Sequence, residues 1–179
     1  MKGKYVILVL CIFFIAVIQS TVLDYVKIYN VKPNLLVIFI ISYALLNGNM
    51  AGAAVGFVAG MCQDIIAGKM LGFYSLLGMY LGLIVGSLNR RLYRENVLVA
   101  VFFTLVSTFA YESAVYLAYE WGAYFLNELP KNRIDVLFAL RNIILPEAAY
   151  NSLVSIFLYA LVIKLNRKFE NSGKALRKY

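Results

Sequence analysis

The sequence predicts an all-α integral membrane protein, in which one bundle of six transmembrane helices takes up all 179 residues. Three observations predict this fold class. Hydrophobic residues make up 63% of the chain and the mean hydropathy is +0.78, whereas soluble domains are roughly half apolar. The apolar residues fall in runs that suit helical spans, and the basic residues collect in alternate connections. Because six spans of about 20 residues use most of the length, no soluble domain is expected.

The first two predicted spans are residues 5–23 and 34–47. Lys2 and Lys4 precede the first span, which lacks the small-residue pattern of a signal-peptide cleavage site and is expected to be retained. Pro33 opens the second span, because a helix start tolerates its missing amide. This second span is short, and we expect extension by Val31 or Asn47, bilayer thinning or burial among longer helices to accommodate it.

The third and fourth spans, 50–67 and 71–88, carry glycine at every fourth position. Four residues advance a helix by about 400°, so successive glycines drift by about 40° and form a smooth face that another backbone can approach closely. We therefore expect the two spans to pack on each other as a tight hairpin, in preference to homodimerisation. The glycines predicted to serve helix packing or partner binding are Gly48, Gly52, Gly56, Gly60, Gly78, Gly82 and Gly86.

The fifth and sixth spans are predicted at 97–119 and 143–163. Aromatic residues around Trp121 are typical of an anchor at the membrane interface. Between these spans, residues 133–142 place apolar side chains at helical spacing, which predicts a helix lying in the interface before Pro146 and the sixth span.

The basic residues predict the orientation, since cytoplasmic loops collect lysine and arginine. Eleven of the 17 basic residues fall on the side that holds both termini, so both termini are predicted to be cytoplasmic. These eleven are Lys2, Lys4, Arg90, Arg91, Arg94, Lys164, Arg167, Lys168, Lys174, Arg177 and Lys178. The net charge of +8 is thus an orientation signal, with some binding of the basic tail to anionic membrane lipid. Nucleic acid is not an expected partner.

The polar residues inside the predicted spans all fall in the outer half of the membrane. A carboxyl group costs about 3 kcal/mol at the centre of a span, so such groups are expected to face protein or water. This outer polar cluster consists of Gln19, Gln63, Asp64, Glu112, Glu147 and Asn151. Two interpretations stand: an outward-facing polar cavity or partner groove, and hydrogen bonds that hold the helices together.

Several chemistries are excluded or unsupported. The sequence has no histidine, which excludes zinc hydrolysis, Ser-His-Asp catalysis and imidazole proton relays. Cys11 and Cys62 lie in predicted spans without CxxC spacing, so neither a disulfide nor a metal role is expected. Asp64 and Glu112 form no recognisable protease pair. We therefore predict no catalytic residue, no cofactor and no metal, and a protein that is not an enzyme.

One stretch resembles a known family signature. Residues 56–76, GFVAGMCQDIIAGKMLGFYSL, are similar to the pattern GxxxGxxxDxxxGxxLG of the bacterial rod shape-determining MreD family. The residues on the second half of that pattern are Asp64, Gly68, Leu71 and Gly72. Gln19 and the Pro33-Asn34-Leu35-Leu36 start of the second span also resemble family features, although Asn34 replaces an acid.

This resemblance implies a non-catalytic scaffold or regulator of the cell-elongation (Rod) complex in the bacterial inner membrane. Family members associate with MreC, a single-span periplasmic coiled-coil protein. That complex is linked to MreB, RodA and a penicillin-binding transpeptidase, and it supports sidewall peptidoglycan synthesis. On this basis we expect the glycine hairpin and the outer polar cluster to receive the membrane helix and adjoining segment of MreC.

A second function class stays open. The six-span shape of the family is similar to that of the substrate-binding S subunits of energy-coupling-factor vitamin transporters, whose pockets open outward. The polar outer half suits such a receptor. Against it, the first span offers only Ala16 in place of the AxxxA-type face with which those subunits engage their transport partner. Of the two, the MreD-like scaffold is favoured.

Overall fold

In the computed structural model, residues 2–27, 31–68, 71–88, 96–125 and 136–176 are described, and all elements in these ranges are helices. The helices are α1 Lys2–Thr21, α2 Leu35–Asn47, α3 Asn49–Ala67, α4 Phe73–Ser87, α5 Val97–Phe125, α6 Val136–Ala139 and α7 Leu145–Leu176. A π-helical turn, Leu140–Ile144, joins α6 to α7. The predicted basic residues Arg90, Arg91, Arg94, Arg177 and Lys178 lie outside the described residues, as do 133–135.

Within the described ranges, three helical stretches are long and apolar enough to cross a membrane. They are Asn49–Ala67, Val97–Gly122 and Val136–Lys168. Three shorter apolar helices, Tyr5–Thr21, Leu35–Asn47 and Phe73–Ser87, coincide with the other predicted spans. The count of six membrane-spanning helices stays a prediction, since it requires the shorter helices to cross as well.

Helix α2 is the centre of the bundle. Twelve of its 13 residues are buried, and it contacts α1, α3, α4, α5 and α7. At about 1.5 Å per residue it is roughly 20 Å long, less than the roughly 30 Å of a bilayer's hydrocarbon core. Because protein surrounds it, its short length meets no lipid mismatch. Burial, one of the three routes expected from the sequence, therefore accommodates this helix.

Helix α2 starts one residue later than predicted and ends at Asn47 as predicted. Pro33 lies before the helix, and Asn34 is its cap, with Oδ1 accepting the Val37 amide at 3.3 Å. Gly48 ends α2 with φ of 89° and at the same time precedes α3. A residue with a side chain rarely adopts this φ. Gly48 therefore serves a tight turn before α3, and its backbone also packs against Gly86 of α4.

Helices α3 and α4 form the expected hairpin, with their glycine faces in backbone contact. The contacts are Gly52 with Gly82, Gly56 with Gly78, Gly60 with Tyr74 and Ser75, and Gly86 with Gly48 and Asn49. A Cβ added at Gly52 would lie 2.7 Å from the Gly82 carbonyl oxygen, closer than real Cβ atoms approach. Because each helix fills the other's glycine face, no partner helix can enter it. The expectation that the hairpin receives MreC stays a prediction, and such a contact would use the outer faces of the hairpin.

The last helix starts earlier than predicted and runs through Pro146. No break separates an interfacial helix from the sixth span, since α6, the π-helical turn and α7 are continuous from Val136. Proline normally disrupts a helix by removing one hydrogen bond and crowding the preceding turn. Here the Leu145 amide bonds to the Leu140 carbonyl, five residues back. This wider turn, directly before Pro146, accommodates the proline inside the helix.

Candidate functional site

Asp64 is a buried cap for the neighbouring helix α4. It lies in the last turn of α3 with 2% of its surface exposed. Its carboxylate accepts the amides of Gly72 at 3.0 Å, Tyr74 at 2.8 Å and Ser75 at 3.1 Å, together with the Ser75 hydroxyl. The first amides of a helix have no partner within it, so a carboxylate there is favourable.

The glycines of the signature complete this turn. Gly68 ends α3 with φ of 64°, and its amide donates to the Asp64 carbonyl oxygen at 3.0 Å. Gly72 precedes α4 with φ of 95°. The second half of the signature thus specifies how α3 turns into α4. For Asp64, the second interpretation drawn from the sequence applies, since its hydrogen bonds hold the two helices of the hairpin together.

A cavity of about 520 Å³ opens where α1 ends, α2 begins and the last helix starts. We call it the polar cavity. Its lining residues are Gln19, Val31, Lys32, Pro33, Asn34, Gln63, Tyr74, Glu112, Phe138, Asn142, Ile143 and Glu147. Four members of the predicted cluster are among them: Gln19, Gln63, Glu112 and Glu147. The structure therefore brings together residues from α1, α3, α5 and α7 that are far apart in the sequence.

Two carboxyl groups meet in the polar cavity. Glu112 of α5 and Glu147 of α7 line the same space and act electrostatically on each other, and the Asn34 side chain lies beside Glu112. A hydrogen bond between two carboxyl groups requires a proton on one of them, since ionised carboxylates only accept. A direct hydrogen bond between Glu112 and Glu147 would therefore need one shared proton.

Beside the acid pair, Lys32 lines the polar cavity, and its charge acts on Glu147. Its ammonium nonetheless donates to Asp24 Oδ1 at 3.0 Å, as does that of Lys27 at the same distance. These two hydrogen bonds hold the pKa of the Asp24 carboxyl below its usual range. Among the described residues, no group of three or more His, Cys, Asp or Glu side chains is placed to hold a metal ion.

Beside the polar cavity, the side chains of Gln19, Asn34 and Asn151 accept hydrogen bonds from the buried backbone amides at the start of α2. Gln19 Oε1 accepts the Leu36 amide at 3.0 Å, and Gln19 Nε2 donates to Asn34 Oδ1 at 3.3 Å. Asn151 Oδ1 accepts the Asn34 amide at 2.7 Å, and its Nδ2 reaches the Thr108 hydroxyl at 3.4 Å. Asn151 is thus a helix support rather than a lining residue. For Gln19, both interpretations drawn from the sequence apply.

Sequence reasoning missed four polar lining residues: Lys32, Asn34, Tyr74 and Asn142. Asn34 had a local signal in the sequence, because asparagine after proline at the start of an apolar run is a typical helix cap. For Asn142 no signal existed, since its position depends on the π-helical turn. The same holds for Tyr74, whose hydroxyl lies 3.1 Å from that of Tyr119 on a different helix.

We expect Asn151→Ala to lower the free energy of unfolding by about 1–3 kcal/mol, because it leaves the buried Asn34 amide without an acceptor. Denaturant unfolding of the purified protein in detergent measures this. Leu153→Ala is the matched control, since that side chain lies on the same helix and is 63% exposed. Equal stability of the two variants would contradict the assigned role of Asn151.

Comparison with known proteins gives one match. The family model described as rod shape-determining protein MreD matches residues 1–169. The match begins before α1 and ends within α7, and it confirms the resemblance drawn from the signature. No curated protein and no solved structure matches the chain. The similarity to transporter S subunits therefore stays a prediction.

Proposed function

The chain belongs to the MreD family of rod shape-determining proteins, and we propose that it is a non-catalytic membrane scaffold of the cell-elongation complex. The observation that carries the proposal is the extent of the family match, which reaches from residue 1 to residue 169. The match thus includes the signature turn, the buried α2 and the polar cavity. Membership of the family indicates a part in determining rod shape, and the scaffold role is the specific form we assign to it.

The proposed direct partner is MreC, with MreB, RodA and a penicillin-binding transpeptidase reached through that contact. The resemblance to the family supports this assignment. The elements described are membrane-type helices, so we assign the enzymatic steps of sidewall peptidoglycan synthesis to partners. Since the glycine faces of α3 and α4 fill each other, the contact with MreC is assigned to other faces of the bundle.

The proposed location is the bacterial inner membrane, with both termini cytoplasmic and the polar cavity on the outer side. The charge along α7 supports this orientation. Glu147 lies in its first turn, at the cavity, whereas the exposed residues Lys164, Arg167 and Lys168 lie near its other end. Glu147 and Lys164 are about 26 Å apart along the helix axis at 1.5 Å per residue. The basic end therefore suits the cytoplasmic surface.

Capture of the tagged chain, expressed at its native level and extracted in mild detergent, tests the proposal. We expect co-purification of MreC, with RodA or a transpeptidase, at least tenfold above a tagged membrane protein of unrelated function at equal abundance. A strain that lacks the gene should lose rod shape and regain it on complementation. Capture at the control level, or rod-shaped growth without the gene, would contradict the scaffold.

A second candidate is a substrate-binding subunit of an energy-coupling-factor vitamin transporter. The polar cavity favours it, because about 520 Å³ falls within the range of roughly 300–1,000 Å³ found for small-molecule sites. The same capture experiment separates the two functions. Recovery of a transporter ATPase pair with its coupling subunit, in place of MreC, would support the transporter.

A further inference from the structure

The polar cavity has room for a small molecule. Its volume of about 520 Å³ far exceeds the roughly 30 Å³ that one water takes up. Its lining is mixed, with apolar Val31, Pro33 and Ile143 beside amide and carboxyl side chains. A few convergent polar groups in an otherwise apolar recess are typical of a ligand site.

The charge of the lining needs either a shared proton or a bound cation for balance when it holds two carboxyl groups. Glu112 and Glu147 come from different helices and face the same space. Among the described lining residues only Lys32 is basic, and its ammonium shares Asp24 with that of Lys27, so one positive charge faces two carboxyl groups. A carboxyl pair in low-dielectric surroundings is costly unless a cation or a shared proton compensates it. A cationic ligand is therefore the charge complement of this cavity.

The remaining lining residues favour an organic cation over a metal ion. Phe138, with 57% of its surface exposed, and Tyr74 place aromatic rings in the wall. Aromatic faces combined with carboxylates are a known way to recognise ammonium groups. Asn142 and Gln63 add amide oxygens, which accept N–H donors. A metal ion would find only two carboxyl groups among its preferred ligands here.

We propose that the polar cavity binds a protonated primary amine, presented either by a small molecule or by a lipid headgroup. The ammonium would donate to Glu112, to Glu147 and to an amide oxygen, with its organic part against Phe138. This inference does not depend on the proposed scaffold role. It assigns to the cavity a ligand class that would apply equally to either candidate function.

The proposal includes a charge balance, in which Glu112 and Glu147 share one proton before the amine binds. When the ammonium enters with its three N–H bonds intact, the proton between Glu112 and Glu147 leaves for the solvent. Each binding event therefore releases up to one proton, and affinity rises with pH until the amine itself deprotonates. The other titratable groups around the pair are Lys32 before α2, Asp64 on α3, Tyr74 on α4 and Tyr111 on α5.

The test uses the full chain in detergent, with benzylamine as the soluble probe and short-chain phosphatidylethanolamine as the lipid probe. Benzyl alcohol and short-chain phosphatidylglycerol are the matched probes without an ammonium group. We expect the amine probes to raise the Tm and to bind at least tenfold more tightly than their counterparts. Stabilisation by benzylamine alone indicates a soluble amine, whereas stabilisation by phosphatidylethanolamine indicates a headgroup.

Variants and proton release make the test specific. Glu147→Gln should weaken amine binding at least tenfold, whereas Glu120→Gln, on α5 and outside the lining, should leave it unchanged. Calorimetry of the unsubstituted chain in buffers of different ionisation enthalpy should show proton release, whether or not Glu147→Gln folds. Equal binding of amine and alcohol probes, binding without proton release, or stabilisation by magnesium in place of amines would overturn the proposal.

Discussion

Replacing Asp64 by alanine is expected to open the hairpin of α3 and α4 and to lower the free energy of unfolding by about 3–5 kcal/mol. The substitution removes four hydrogen bonds at once and leaves the amides of Gly72, Tyr74 and Ser75 without their acceptor. Water can reach part of this turn, so the loss in free energy of unfolding stays below the sum expected for four separate buried hydrogen bonds. Denaturant unfolding in detergent, together with the amount of protein in the membrane, measures the effect.

Two variants control for the loss of a side chain at this depth. Gln63→Ala changes the preceding residue, whose side chain lines the polar cavity, and should leave the hairpin closed. Asp64→Asn keeps one acceptor oxygen, so its loss should fall between those of the other two. Equal stability of Asp64→Ala and Gln63→Ala would contradict the assigned role of the Asp64 carboxylate as a cap of α4.

In the candidate site, Asp64 contributes to the stability of the fold, whereas Glu112 and Glu147 contribute to the polar cavity. A variant at Asp64 should lose rod shape because the protein is lost, so cell shape and protein level should fall together. Glu112 and Glu147 do not cap a helix. Their glutamine variants should therefore keep the hairpin intact and change only what the polar cavity does. The six residues of the predicted outer cluster thus divide into helix supports and cavity groups.

The hairpin of α3 and α4 could be predicted from sequence because one physical rule governs it. Glycine at every fourth position on two consecutive apolar runs gives each helix a smooth face, and the short connection at Gly68 brings the faces together. Close approach of two backbones needs no information from the rest of the chain. The positions of the helices likewise follow the apolar runs of the sequence closely.

The burial of α2 was only partly predictable. Its 13 residues are apolar on every side, which is typical of a helix surrounded by protein. That pattern alone does not separate a buried helix from a short span in thinned lipid. Whether α2 is buried depends on the packing of α1, α5 and α7 around it, and these helices lie far apart in the sequence.

The sequence left open the roles of side chains whose partners come from other helices. From the sequence alone, a carboxylate near the end of a span that caps a neighbouring helix cannot be distinguished from one that faces a cavity. Asp64 and Glu147 therefore could not be told apart. Pro146 predicts a helix break by its local chemistry. The π-helical turn before it depends on the tertiary environment, and that turn also carries Asn142 and Ile143 to the polar cavity.

Replacing Gly56 by leucine is expected to force α3 and α4 apart, at a loss of at least about 3 kcal/mol, the upper end of what overpacked cores lose. A Cβ at this position would overlap the Gly78 carbonyl oxygen and lie 2.6 Å from the Gly78 carbonyl carbon. These are backbone atoms of the facing helix, so no side chain can move aside to make room. Thermal unfolding in lipid nanodiscs and the amount of membrane-inserted protein measure the result.

Gly122→Ala distinguishes this effect from the ordinary consequence of replacing a helical glycine. A Cβ added at Gly122, on α5, meets nothing within 4 Å, and alanine favours a helix over glycine by about 1 kcal/mol. We therefore expect Gly122→Ala to match or exceed the stability of the unsubstituted chain, whereas Gly56→Ala should already destabilise it. If both alanine variants were neutral, the two helices would have room to separate, and the glycine faces would not set their distance.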